Sequence, residues 1–331
     1  MSSSCMLILR TSLVTGPEYS TLNVTVAWNV FTLLPMESTH AMAQDDTQYE
    51  NWKYPVITHS SPQAFTQLKG YGDGIHAISL GESHLDILLR RRPGKNVLVV
   101  FGGAVDRTAG YPPFFSGVGL TSRLPFSLIA LSDPAFTVDK QLRIGWYTGT
   151  RSEPAQHLIP QLIDAILDTW NKEKAVLLGG SAGGFAALVT APQLRHSAEA
   201  FVMNPQTNVE RYHHKHSVTA WAEVCKDPES GQILDLQKYY AGLPTQPRIT
   251  YFQNKSDTHR GTHAEPFLES LETQPELVLG EWGDGHVPPP SSVLAAYLLP
   301  ALLPTPAGAL AQKIPAEQRQ KLTALIHKVK K

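Results

Sequence analysis

The segment Gly179-Gly180-Ser181-Ala182-Gly183 sets one hydroxyl among small residues, directly after the apolar run 175–178 and before an apolar stretch of helical character. A serine hydroxyl is a poor nucleophile at neutral pH. It needs an exposed position, a base to take its proton, and donors for the negative charge that develops on an attacked carbonyl oxygen. A sharp turn from strand to helix supplies the first and the last. Bulky residues two positions before or after the serine would collide with the adjoining strand or helix, so such a turn requires the Gly-x-Ser-x-Gly spacing. The amide of Ala182 then lies at a helix start, where free N–H groups and the helix dipole favour an oxyanion. A second oxyanion donor is expected after the strand 96–101, at Gly103 or Ala104, with Gly102 easing the turn.

The base and the acid that orients it are expected later in the chain, each just past a strand. After "RITYFQ" stands "NKSD", which offers Asp257, with Asn254 as an alternative; after "PELVLGEW" comes "GDGHVPPP", which offers His286 on a loop bounded by prolines. Asp284 precedes His286 by only two residues, a poor geometry for supporting the ring from behind. In this arrangement Ser181 attacks an ester carbonyl, His286 takes its proton and later returns it, and Asp257 holds the imidazolium. Trp146, Tyr147 and Gln206 are expected to line an acyl or sugar pocket.

The stretch "DTHRGTH" supports a rival chemistry. Asp257, His259 and His263 lie close in sequence, and the two histidines stand four residues apart, a spacing suited to one helix face and a metal ion. His213, His214 and His216 form a second group, read as a solvated surface because adjacent positions diverge in direction. A third reading keeps the fold and drops the chemistry, leaving a binding module.

With Gly-Gly-Ser181-Ala-Gly-Gly followed in order by Asp257 and His286, the chain resembles the α/β-hydrolase family over about residues 76–305. The resemblance implies an α/β fold with a mainly parallel sheet of about eight strands, a Ser-Asp-His triad, an acyl-enzyme intermediate and no cofactor. A narrower resemblance, carried by "LSDPAF", "GWYTGT", "GGSAGGFAAL", "NPQT" and "SDTHRGTH", is to bacterial hydrolase-like proteins related to the accessory secretion-system acetyltransferases. It implies transfer or removal of small acyl groups on glycan hydroxyls. Water resolving the acyl-enzyme makes an esterase or deacylase, an alcohol makes an O-acyltransferase, and the three residues serve either.

The elements that must position these groups follow from the pattern. From about residue 76, short β-branched or Leu-rich runs alternate with helical stretches, as in strands joined by crossover helices. Strands are expected within 84–101 on either side of a turn, at 126–133, 175–178, 198–203 and 248–253, and in "PELVLGEW". Helices are expected near 154–170, 183–191 and 291–299 and in "EPFLESL", with Pro160 marking a late start or a kink. The basic cluster Arg90, Arg91, Arg92 and Lys95 around Pro93 and Gly94 reads as a solvated turn. The pattern dissolves over 208–247, where a cap-like insertion fits. Residues 51–305 form the expected hydrolase domain, 1–50 an N-terminal extension, and 306–331 a proline-rich linker and amphipathic C-terminal helix.

Composition narrows the partners. With 28 basic against 29 acidic residues, no overall field draws the chain to nucleic acid or an anionic membrane. A small-molecule or glycan ester is the expected partner. Two cysteines, Cys5 and Cys225, make neither a disulfide framework nor a zinc ribbon, which suits a reducing, cytoplasmic location. The apolar run 24–34 is too short for a membrane span. Followed by "AMAQ" it has a faint signal-peptide character, opposed by Glu37, His40 and a weakly basic start. No Walker-type loop is present, and "GYGDG" lacks dinucleotide-binding spacing.

Overall fold

The computed structural model describes residues 5–15, 20–30, 46–121 and 126–303. These fall into two compact units. The first is an antiparallel hairpin of β1 (Cys5–Thr15) and β2 (Ser20–Val30), in register from Cys5 opposite Val30 to Thr15 opposite Ser20. The apolar run 24–34 of the sequence thus begins in a strand; residues 31–34 and the "AMAQ" motif lie outside the described residues, as does the expected C-terminal helix.

The second unit holds a nine-stranded sheet. Its strands are β3 (Val56–His59), β4 (Gly74–Ser79), β5 (His84–Arg90), β6 (Asn96–Phe101), β7 (Ser127–Leu131), β8 (Lys174–Gly180), β9 (Ser197–Met203), β10 (Arg248–Asn254) and β11 (Glu276–Gly280). The spatial order is β11-β10-β9-β8-β6-β7-β5-β4-β3, with only β5 antiparallel to its neighbours. This is the α/β-hydrolase architecture. It has one strand more than expected, because the short β3 pairs in parallel with β4 at the sheet edge.

The central strands read as unbroken apolar runs because both their faces are buried. On β6, Val97, Val99 and Phe101 point to one side and Leu98 and Val100 to the other; on β8, Ala175 and Leu177 oppose Val176 and Leu178. The first layer is closed by α1 (Leu158–Trp170) and α2 (Ala182–Thr190), the second by a C-terminal helix, Ser291–Leu302. Pro160 falls in the first turn of α1, where a missing N–H costs nothing. The segment 208–247 carries α3 (Lys215–Val224) and α4 (Leu236–Ala241), and an isolated bridge pairs Asn208, before α3, with Asp235 at the start of α4. Trp221 of α3 is buried on the first layer.

The basic turn differs from its expected form. Arg90 ends β5 with its side chain buried, while Arg91 and Lys95 are exposed. Lys172, just past α1, closes the turn by donating to the carbonyls of Arg92 and Gly94 at 2.7 Å each.

At the far edge from the serine, His59 and His76 pair in the core, Nε2 to Nδ1 at 2.9 Å, and His76 Nε2 faces the Gly72 carbonyl at 3.1 Å. The tautomers follow. His76 donates from Nε2 to the carbonyl, so its Nδ1 accepts from His59, and protonating that Nδ1 would set two N–H groups face to face. Burial accordingly holds the His76 pKa down to about 4 against its ordinary 6.5. A depressed folded pKa gives stability that is present above 6.5 and lost as pH falls through 4. His76→Gln is expected to reduce the loss of unfolding free energy between those pH values by on the order of 3 kcal/mol, measured by urea titrations across the window; an unchanged pH profile would contradict the pairing.

Candidate functional site

At the end of β8 the chain turns into α2 within one residue. Ser181 has φ 54° and ψ −121°, a left-handed backbone that a non-glycine residue adopts only under constraint, at a cost of about 1–3 kcal/mol. The constraint is the close approach of strand, helix and neighbouring strand. A Cβ on Gly179 would lie 2.1 Å from the Gly183 carbonyl oxygen, and one on Gly183 would lie 2.3 Å from that of Phe101 on β6. Ser181 stands at the N-cap position of α2, yet its hydroxyl makes no capping bond. Instead Gln206 Nε2 donates to Ser181 Oγ at 3.0 Å.

Among the described residues the N–H groups of Ala182, Gly103 and Ala104 make no hydrogen bond, whereas the N–H of Gly102 is taken by Tyr147 Oη at 2.8 Å. Gly103 packs close to the serine: a Cβ there would meet Ser181 Cβ at 3.6 Å. The two free amides after β6 and the one opening α2 are those expected to face an oxyanion, and Gly102 serves the turn.

Beyond β10 and β11 the other two residues meet. His286 Nδ1 lies 2.7 Å from Asp257 Oδ2, and Asp257 Oδ1 accepts the backbone N–H of His259 at 2.9 Å. Burial alone would raise the Asp257 pKa, but the bonds from His286 and His259 outweigh it and leave the carboxyl below its usual range. Asp257 is buried and His286 half-exposed, at 34% of its side-chain surface. The structure therefore brings Asp257 and His286 into contact, while Ser181 hydrogen-bonds Gln206 rather than His286. Asp284 is exposed, and the partner of His286 Nδ1 is Asp257.

Two asparagines that sequence reasoning missed, or cast differently, build this edge. Asn254 is fully buried and donates to the carbonyls of Gly283 and Gly285, each at 2.7 Å, while accepting the Trp282 amide at 3.0 Å. Asn204, at φ 42°, accepts the Asn254 amide at 2.7 Å and donates to the Val287 carbonyl at 2.9 Å. Between them they pin both ends of the His286 loop to the ends of β9 and β10. Asn254 is thus a loop anchor and not the acid. Its only advance signal was its place at a strand end, which it shares with Asp257.

Trp146, Tyr147 and Gln206 were expected to line a pocket, and all three are buried instead. Trp146 and Tyr147 have consecutive left-handed backbones, φ 53° and 56°. Trp146 Nε1 donates to Gln206 Oε1 at 2.5 Å, so the amide that holds Ser181 Oγ is itself held. Tyr147 donates to the Leu131 carbonyl at 3.0 Å and takes the Gly102 amide. Its own N–H bonds the buried Asp133 at 2.8 Å, whose pKa burial raises to about 6. The loop is scaffolding for the elbow and the glycine turn. Trp221 and Tyr212 of the 208–247 segment pack edge-on against Trp146.

The histidines sort differently from their spacing. His263 Nδ1 accepts the Thr207 amide at 3.2 Å, and burial drives its pKa to about 3. His259, held down to about 4 chiefly by burial, places Nδ1 at 3.1 Å from His286 Nδ1 and Nε2 at 2.5 Å from His213 Nδ1. Among the described residues the side chains close enough to share a metal ion are Asp257, His259 and His286. His263 is not one of them, and its Nδ1 accepts the Thr207 amide.

No protein-family profile matches the sequence, and no curated protein matches it. Among solved structures the chain is similar to VinJ, at 12% identity and TM-score 0.44, over 70% of this chain and 99% of that one. It is similar to proline iminopeptidase of Mycobacterium smegmatis at 10% identity and TM-score 0.41, over 75% and 99%. Acetyl xylan esterase 1 of a Thermoanaerobacterium species gives 12% identity and TM-score 0.42, over 62% and 74%. Likeness at this level says nothing of substrate.

The elbow's packing is testable without any substrate. Gly183→Ala is expected to cost about 2 kcal/mol or more, because overpacking against the backbone of β6 has no side chain to displace. Gly242→Ala, where the nearest atom stands 3.6 Å from the new Cβ, is the control and should change stability little. Equal denaturation midpoints for the two variants would contradict the close approach.

Proposed function

We propose that the chain is a serine hydrolase that cleaves carboxylic esters through an acyl-enzyme, with Ser181 as nucleophile, His286 as base and Asp257 as the acid that orients it. The contact of His286 with Asp257 at 2.7 Å, on the sheet edge that also carries the strained serine, is the observation that supports this most. With Nδ1–H given to Asp257, His286 keeps a lone pair on Nε2, the form a base must have. Gln206 donates to the Ser181 oxygen and leaves its proton free, so proton transfer requires His286 Nε2 to come within hydrogen-bond reach of that hydroxyl. The oxygen attacks the ester carbonyl, its proton passes to Nε2, and the oxyanion is received by the amides of Ala182 and Gly103 or Ala104. His286 returns the proton to the leaving alcohol. Water, activated by the same nitrogen, then cleaves the acyl-enzyme and restores the hydroxyl.

Asp257 stays ionised through the working range because its pKa is depressed, so this carboxyl should add no ionisation to the acid limb. A single ionisation in the acid limb of kcat/KM is expected, and two would contradict the assignment of Asp257.

The direct test is labelling with a fluorophosphonate and turnover of p-nitrophenyl acetate. Label is expected on Ser181 and absent from Ser181→Ala, with kcat lowered about 10³-fold or more in Ser181→Ala and His286→Ala. Undiminished turnover by Ser181→Ala would overturn the proposal. Adding a sugar acceptor separates the outcomes of the second half-reaction: acetylated sugar marks an acyltransferase, and acetate alone an esterase.

A further inference from the structure

The His286–Asp257 pair has a third member that a proton relay does not need. His286 Nδ1 stands 2.7 Å from Asp257 Oδ2 and 3.1 Å from His259 Nδ1, and His259 Nδ1 stands 3.8 Å from Asp257 Oδ1. Three electron-pair donors therefore surround a single proton, the one on His286 Nδ1. A tetrahedral zinc ion bound by nitrogen and carboxylate oxygen at ordinary distances separates its ligands by roughly 3.3 Å; the two nitrogens stand near that spacing, and one ligand atom from each of the three residues lies within 4.8 Å of the others. His259 is anchored for such a role. Its amide bonds Asp257 Oδ1 at 2.9 Å; with the His286 Nδ1 proton given to Asp257, a hydrogen on His259 Nδ1 would meet it face to face, so His259 carries its proton on Nε2, toward His213 Nδ1, the outer partner that metal-binding imidazoles carry.

The geometry points to an inhibitory site for zinc, or a divalent ion of like chemistry, formed by Asp257, His259 Nδ1 and His286 Nδ1, with solvent as the fourth ligand. The site itself stands on these distances; its inhibitory effect rests on the proposed role of His286. Zinc takes the lone pair of His286 Nδ1, and the proton displaced from Nδ1 moves through solvent to Nε2, so the imidazole stays neutral and no net proton is released. The nitrogen facing the serine side then carries a hydrogen and cannot accept one. Removing the metal reverses both changes. The site differs from a catalytic metal centre in that the ion occupies the far side of the base from the nucleophile, displacing the relay instead of activating water for attack.

The test is a calorimetric titration of chelator-treated full-length chain with zinc chloride, run beside fluorophosphonate labelling. One zinc per chain is expected in the wild type and equally in Ser181→Ala, with affinity lowered more than about tenfold in His259→Ala and in His286→Ala. His286 is half-exposed, so its variant tests the site even if loss of the buried His259 harms folding. The double variant His214→Ala/His216→Ala, which removes exposed histidines outside the triangle, should bind zinc as the wild type does. Zinc should also block labelling of the wild type, and EDTA should restore it. Absence of saturable zinc binding, or affinity unaffected by both single variants, would overturn the site; zinc bound with labelling undiminished would overturn the inhibition. If the wild type takes no label even without zinc, the serine-hydrolase reading fails, and the titrations still decide the metal site.

Discussion

The left-handed backbone at Ser181 is the constraint on which the site depends. The chain leaves β8 and enters α2 at one residue, and this is possible only because Gly179 and Gly183 let the strand, the helix and the carbonyl of Phe101 come closer than any side chain would permit. The strain has a direct chemical consequence. It lifts the hydroxyl away from the capping position that a serine at a helix start ordinarily uses, and it leaves the amide of Ala182 open on the same side. The strain is sustained by the buried parallel strands on either side, whose apolar faces supply the stability that the turn consumes.

The neighbouring loops are held by the same means, side chains satisfying backbone groups in the interior. Trp146 and Tyr147 take up left-handed conformations of their own, and their polar tips reach Gln206 and the glycine turn after β6. Asn204 and Asn254 tie the loop of His286 to the ends of β9 and β10. Each of these polar groups is buried, so each missing partner would leave an unsatisfied donor or acceptor at about 1–3 kcal/mol. Positioning and stability are therefore coupled along this edge of the sheet. The 208–247 segment joins that coupling through Trp221 and Tyr212, which rest on Trp146.

Much of this was legible in the sequence, for particular reasons. The central strands announce themselves as apolar runs because both faces are covered, and the elbow is visible because steric crowding leaves so few alternatives to glycine. Asp257 and His286 could be named from strand ends alone. Residues whose roles arise only across the fold were not legible. Nothing in "NPQT" says that Gln206 will hold the serine hydroxyl, and aromatic residues in "GWYTGT" look like pocket walls until their burial is seen. The four-residue spacing of His259 and His263 suggested a shared ligand set; the Thr207 amide, distant in sequence, captures one of them and leaves the other beside His286. The edge strand β3 is four residues long, too short for alternation to mark it.

In the proposed chemistry Ser181 and His286 work as one proton-transfer pair across the sheet edge. A crystal structure of the phosphonylated protein tests this, since the adduct mimics the charge of the attacked carbonyl. The adduct is expected on Ser181 Oγ, with one phosphonyl oxygen within about 3 Å of the amides of Ala182 and Gly103 or Ala104, and His286 Nε2 within about 3 Å of the serine oxygen. An adduct on another residue, or an imidazole that stays out of reach of the serine oxygen, would contradict it.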